Sequence, residues 1–139
     1  MLLLVLAAAM PQTAQSMDFP ALDTAIERCE RAIVLPVFAT EAQRRSTAVT
    51  GFYREQAQIV VERIALADKR RAIREGTAPP ATEAIVPATD QELALGQLAL
   101  DDRQRALDER RRLETMRQEA IDLKRQYFLV RCGPGKKSG

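Results

Sequence analysis

Apolar residues along this chain recur at intervals of three and four, the period of a helix face, over three separate stretches. Leu22, Ile26, Cys29 and Ile33 follow at spacings of four, three and four, which predicts a first helix over about 21–35 with all four on one stripe. Asp18 suits its cap and Pro20 its first turn. Pro36 has no N–H to donate and is expected to end or kink that helix.

A second helix is expected over about 37–75. Tyr53, Ala57, Val60, Ile64 and Ala67 form one apolar stripe on it, and Phe52, Ile59, Leu66 and Ile73 form another beside it at seven-residue intervals. Two adjacent stripes are wider than one partner helix covers, which points to more than one neighbour. Gly51 is a weak point, expected to mark a bend or a close contact.

Gly76 should stop this helix, and the three prolines within 76–89 make that segment a loop, with Ile85 and Val86 docking back on the helical tips. Thr89 with Glu92 three residues on reads as a capping box opening a third helix over about 90–131. On it, Leu113, Met116, Ala120, Leu123, Tyr127 and Val130 alternate by three and four, the spacing of a coiled-coil seam. Its middle is nearly all charged, and Asp101–Arg105 and Asp108–Arg112 are expected to pair at i, i+4 with the acid first.

Two long helices joined by one loop imply an all-α fold: a long antiparallel helical hairpin, coiled-coil-like, with the short N-terminal helix packed at its open end. The expected organisation is a single helical domain over 17–132 followed by a flexible tail, 133–139. Composition agrees. Apolar residues are 46% of the chain but aromatics only 4%, so the apolar content is mostly the Ala, Leu, Ile and Val of helices packing on helices.

The first ten residues, MLLLVLAAAM, are too few to span a bilayer, which takes about 20. Followed by Pro11 and a small-x-small ending at Ala14-Gln15-Ser16, they read as a secretory signal peptide cut between Ser16 and Met17. No Lys or Arg precedes the run, and the alternatives are a true start upstream or an N-terminal helix that is retained. In an exported chain of two cysteines, Cys29 and Cys132 are read first as a disulfide, and the hairpin topology places both at its open end. Closing about 100 residues, such a bridge contributes up to about 4.7 kcal/mol in the chain-entropy model. The expected compartment is the periplasm or the cell exterior.

Candidate chemistry is sparse. The chain has no histidine, which excludes Ser-His and Cys-His nucleophile pairs and His-containing zinc sites. Asp101-Asp102 and Asp108-Glu109 are adjacent in sequence and so diverge by about 100° around a helix. No Gly-rich phosphate loop or metal-ligand spacing is present. No catalytic residue, metal, cofactor or small-molecule ligand is therefore expected.

Arg110-Arg111-Arg112 and Lys69-Arg70-Arg71 invite a nucleic-acid reading. Yet residues 90–131 carry nine acidic and nine basic side chains, and 37–75 carry five and eight, so no sustained basic face arises. The expected role is a non-enzymatic interaction protein, a scaffold, adaptor or holdase-like clamp, whose partner is another envelope protein or the chain itself. The alternative is a cytosolic, Arg-rich coiled-coil protein associating with nucleic acid.

Overall fold

A computed structural model describes residues 18–76 and 90–134. Three helices account for nearly all of them: α1 (Phe19–Glu27), α2 (Arg31–Glu75) and α3 (Asp90–Cys132). The fold is an all-α hairpin of two long helices with a short N-terminal helix. The antiparallel sense of α2 and α3 shows in their cross-pairing: Arg44 meets Glu114, Gln56 meets Gln104, and Arg63 meets Asp101. The proposed cleavage site at Ser16 and Met17, the docking residues Ile85 and Val86, the cap Thr89 and the tail 135–139 lie outside the described residues.

Asp18 caps α1 as expected. Its carboxylate accepts a hydrogen bond of 3.1 Å from the Ala21 N–H, and Pro20 occupies the first turn, where its missing donor costs nothing. The end of α1 departs from expectation. The helix stops at Glu27 rather than at 35, and Pro36 lies inside α2, which already begins at Arg31.

The break is made instead by a Schellman turn. The Glu30 N–H bonds the Ala25 carbonyl and the Cys29 N–H bonds the Ile26 carbonyl, each at 3.0 Å, while Cys29 takes the left-handed φ of 52°. The Glu30 carbonyl then accepts from Ile33 and Val34 and starts α2. Pro36 is tolerated because it removes a single bond one turn into a 45-residue helix. Val34 and Phe38 on either side of it are buried, so packing holds the helix through the proline.

At the far end of α2, Gly76 adopts φ 65° and returns its N–H to the Ile73 carbonyl, the expected stop. The α3 terminus also needs glycine, since a Cβ at Gly133 would meet the Leu129 carbonyl oxygen at 2.8 Å. Gly51 marks no close contact: α2 is continuous through it, and no atom beyond its own stretch of helix lies within 4 Å of where its Cβ would be.

Two compact units can be distinguished along the hairpin. In residues 18–42 with 124–134, the core is Leu22, Ala25, Ile26, Val34, Phe38, Phe128 and Cys132. Phe38 and Phe128 pack edge to face with centroids 6.1 Å apart, and the guanidinium groups of Arg31 and Arg125 lie over the Phe128 and Phe38 rings. In residues 43–76 with 90–123, the buried apolar side chains are fewer: Ile59, Leu93, Leu100, Leu107 and Ile121.

Candidate functional site

The two cysteines meet. Cys29 and Cys132 stand at disulfide distance with Cα atoms 5.6 Å apart, across a sequence separation of 103. Cys29 is not on an apolar helix stripe, contrary to the spacing argument. It is the residue just past the α1 C-cap, a position that normally takes glycine. Of the predicted stripe, Leu22 and Ile26 are buried on α1, whereas Ile33 belongs to α2 and is exposed. Around the pair, Arg31 donates to the Cys132 carbonyl, Lys124 pairs with Asp23, and Tyr127 and Arg131 bond Glu27. Polar contacts from α3 thus fasten the middle and the C-terminal end of α1.

The seam of α3 is not the stripe its spacing suggested. Leu113, Met116, Leu123, Tyr127 and Val130 are between 47% and 80% exposed. The buried face is a strict seven-residue repeat on another side of the helix: Leu93, Leu100, Leu107, Glu114, Ile121 and Phe128. On α2 the seven-residue stripe is the one that packs. Ile59 is fully buried and Phe52 and Leu66 are half-buried, while Ile73 at the end of that stripe and Tyr53, Val60 and Ile64 beside it remain open.

Polar pairs explain the choice. Within the second unit, one apolar row is bordered by side chains that bond across from helix to helix. Gln56 and Gln104 exchange both amide bonds at 2.9 and 3.0 Å, and Arg63 bonds Asp101 at 2.9 Å. Arg103 reaches Glu62 at 2.7 Å and Arg110 reaches Glu55 at 2.6 Å. Rotating either helix to bury the richer apolar stripe would break this set and leave charges facing apolar surface.

Glu114 interrupts the apolar row and is held by a two-pronged contact from Arg44, at 2.7 and 2.8 Å. Its side chain is only 11% exposed. Arg44→Ala would strand that carboxylate and is expected to cost about 2 kcal/mol. The double substitution Arg44→Met with Glu114→Leu, which completes the leucine row, should recover most of the loss. Urea unfolding of the three chains checks this. Equal losses in the single and double variants would contradict it.

The expected intrahelical pairs also change partners. Asp101 is taken by Arg63 and Gln97 rather than Arg105, which pairs with Asp102 instead. Asp108 accepts from Gln104 and lies 3.8 Å from Arg111, not Arg112. At Asp101 a cross-helix partner outcompetes the i, i+4 neighbour, whose contribution is only a few tenths of a kcal/mol, whereas Asp108 and Arg105 exchange one neighbour of their own helix for another.

A shallow open groove in the same unit is lined by Arg45, Val49, Phe52, Tyr53, Arg111 and Glu114. Among the described residues, no group of three or more Cys, Asp or Glu is placed to hold a metal ion, and no helix is long and apolar enough to cross a membrane. What remains distinctive is surface: heptad-spaced apolar side chains left open on α2 and α3, beside a seam satisfied by polar pairs. No family model, curated protein or solved structure matches the chain.

Proposed function

We propose that this chain is an exported, non-enzymatic interaction protein, a scaffold, adaptor or holdase-like helical clamp that offers open helix faces to a second protein of the envelope or to itself. The observation that carries this reading is the pair of exposed stripes. Tyr53, Val60 and Ile64 on α2, and Leu113, Met116 and Leu123 on α3, keep coiled-coil spacing yet stay exposed among the described residues. Ordered apolar rows of this kind on a surface are the usual mark of a protein–protein contact. Export, to the periplasm or beyond the cell, is supported by the N-terminal apolar run and by the cysteine pair at disulfide distance.

The nucleic-acid alternative draws little support, because three of the arginines it needs are engaged with acids and amides. Arg110 pairs with Glu55, Arg111 with Gln56 and Asp108, and Arg71 with Asp68. Intact-mass measurement of the protein isolated from its own cells tests the compartment. The expected product begins at Met17 and is two hydrogens lighter than its reduced form. A cytosolic product that keeps residues 1–16, has free thiols and shifts DNA in a salt-sensitive way would sink the proposal. Affinity capture from the envelope fraction, repeated with Met116→Asp and Leu123→Asp, then tests the surface itself.

A further inference from the structure

We propose that a second copy of this chain covers the open α2 stripe, forming an isologous antiparallel pair of α2 helices centred between Val60 and Ile64. The inference rests on the interaction-protein reading above and names its partner. Tyr53, Ala57, Val60, Ile64 and Ala67 alternate by four and three, as do the a and d positions of a coiled coil, so the surface fits a helix. Tyr53 is 75% exposed and Ile64 57% exposed, and all five residues face solvent.

The arrangement about the midpoint of the stripe identifies that helix as α2 itself. In an antiparallel pair, a residues pack on d residues of the partner, and e positions face e positions. In that register Val60 packs on the partner's Ile64, and Ala57 on the partner's Ala67. Large side chains fill the centre, and small ones on either side let the helices approach. Val61, 66% exposed at an e position, then meets the partner's Val61 on the two-fold axis.

At the e positions the charges agree with the same register, and at g Arg63 faces the partner's Arg63, each charge met by Asp101 of its own chain. Arg54 faces the partner's Asp68, and the symmetry makes this contact twice. Arg54 has no side-chain partner among the described residues, and Asp68 is exposed, bonded to Arg71 of its own helix. The α3 stripe lacks this self-complementarity. Its equivalent flanking positions are Arg110 and Arg117, so self-pairing there would set cation against cation. A two-fold contact through α2 also closes on itself and does not propagate into fibres.

Sedimentation of the full-length chain across a range of concentrations tests the proposal. The expected result is a reversible dimer. Val60→Asp and Ile64→Asp should each raise its dissociation constant about tenfold or more. Helical content and thermal unfolding at low concentration should hold, because both side chains are exposed in the monomer. Arg54→Asp and Asp68→Arg should each weaken the dimer, and the double reversal should restore it, which a merely sticky surface would not do. Val61→Cys should oxidise to a chain-to-chain disulfide mapped to that residue, while Met116→Cys should not.

A wild-type chain that stays monomeric overturns the proposal, as does a dimer indifferent to Ile64→Asp or cross-linked through Met116→Cys. The wider reading fails separately. A monomer that still captures an envelope partner through α3, with loss in Leu123→Asp, removes only the second copy. A monomer that captures nothing removes both.

Discussion

Replacing Phe128 by alanine is expected to lower the stability of the unit built from residues 18–42 and 124–134 by about 3–5 kcal/mol. The ring is 1% exposed, packs edge to face on Phe38 and carries the Arg31 guanidinium 5.6 Å from its centroid. Only four other large apolar side chains are buried in that unit: Leu22, Ile26, Val34 and Phe38. So small a core has little capacity to collapse around the cavity. Phe128→Leu should cost markedly less, since it keeps most of the volume. Denaturant unfolding gives the size of the loss, and hydrogen exchange should place it first in the amides of α1. A loss below about 1 kcal/mol would mean that the ring is not the centre of this core.

Losing the Cys29–Cys132 link, by reduction or by Cys132→Ser, is expected to cost about 2–5 kcal/mol. The two residues are 103 apart in sequence, so the link removes a large closure entropy from the unfolded chain. A sharper expectation follows from Cys29 itself. It holds φ 52° at a position where glycine is preferred and other residues cost about 1 kcal/mol. Cys29→Ser and Cys29→Gly both lose the link, but the glycine variant should be the more stable of the two by about that amount. Melting under oxidising and reducing conditions separates these effects. A wild-type melting temperature unmoved by a dithiol reductant would show that the two sulfurs are not bonded.

Much of the secondary structure is legible in the sequence because it depends on local chemistry. The Asp18 carboxylate finds the Ala21 N–H three residues on, and Gly76 supplies the left-handed turn that ends α2. The end of α1 is less legible. Pro36 is the strongest local stop signal, yet the helix breaks seven residues earlier, where Cys29 turns left-handed. Local propensity ranks cysteine poorly for that role. The turn is selected because it folds Leu22 and Ile26 of α1 and Val34 and Phe38 of α2 into one core and brings Cys29 to Cys132.

The open surface, in turn, is readable only after the seam is known. On α3, counting apolar residues favours Leu113, Met116, Ala120 and Leu123, whereas burial follows the sparser repeat broken by Glu114. A seven-residue count through Leu93, Leu100, Leu107, Ile121 and Phe128 was the available signal, interrupted by the carboxylate of Glu114.

By itself, then, the sequence determined what each segment does alone: three helical stretches, the Asp18 cap, the Gly76 stop, and a topology that sends two distant cysteines to the same end. Those features follow from backbone and side-chain chemistry within a few residues, or from counting helix lengths. Which face of each long helix is buried was decided only in the tertiary structure. An amphipathic pattern states how much apolar surface a helix has on each side, but not which side has a partner whose polar groups can also be satisfied. In α2 and α3 that decision went to the face where Gln56 meets Gln104, Arg63 meets Asp101 and Arg44 meets Glu114. Leaving buried charges and amides unpaired costs more than leaving leucines exposed, and the apolar stripes that lost are the surface the protein offers outward.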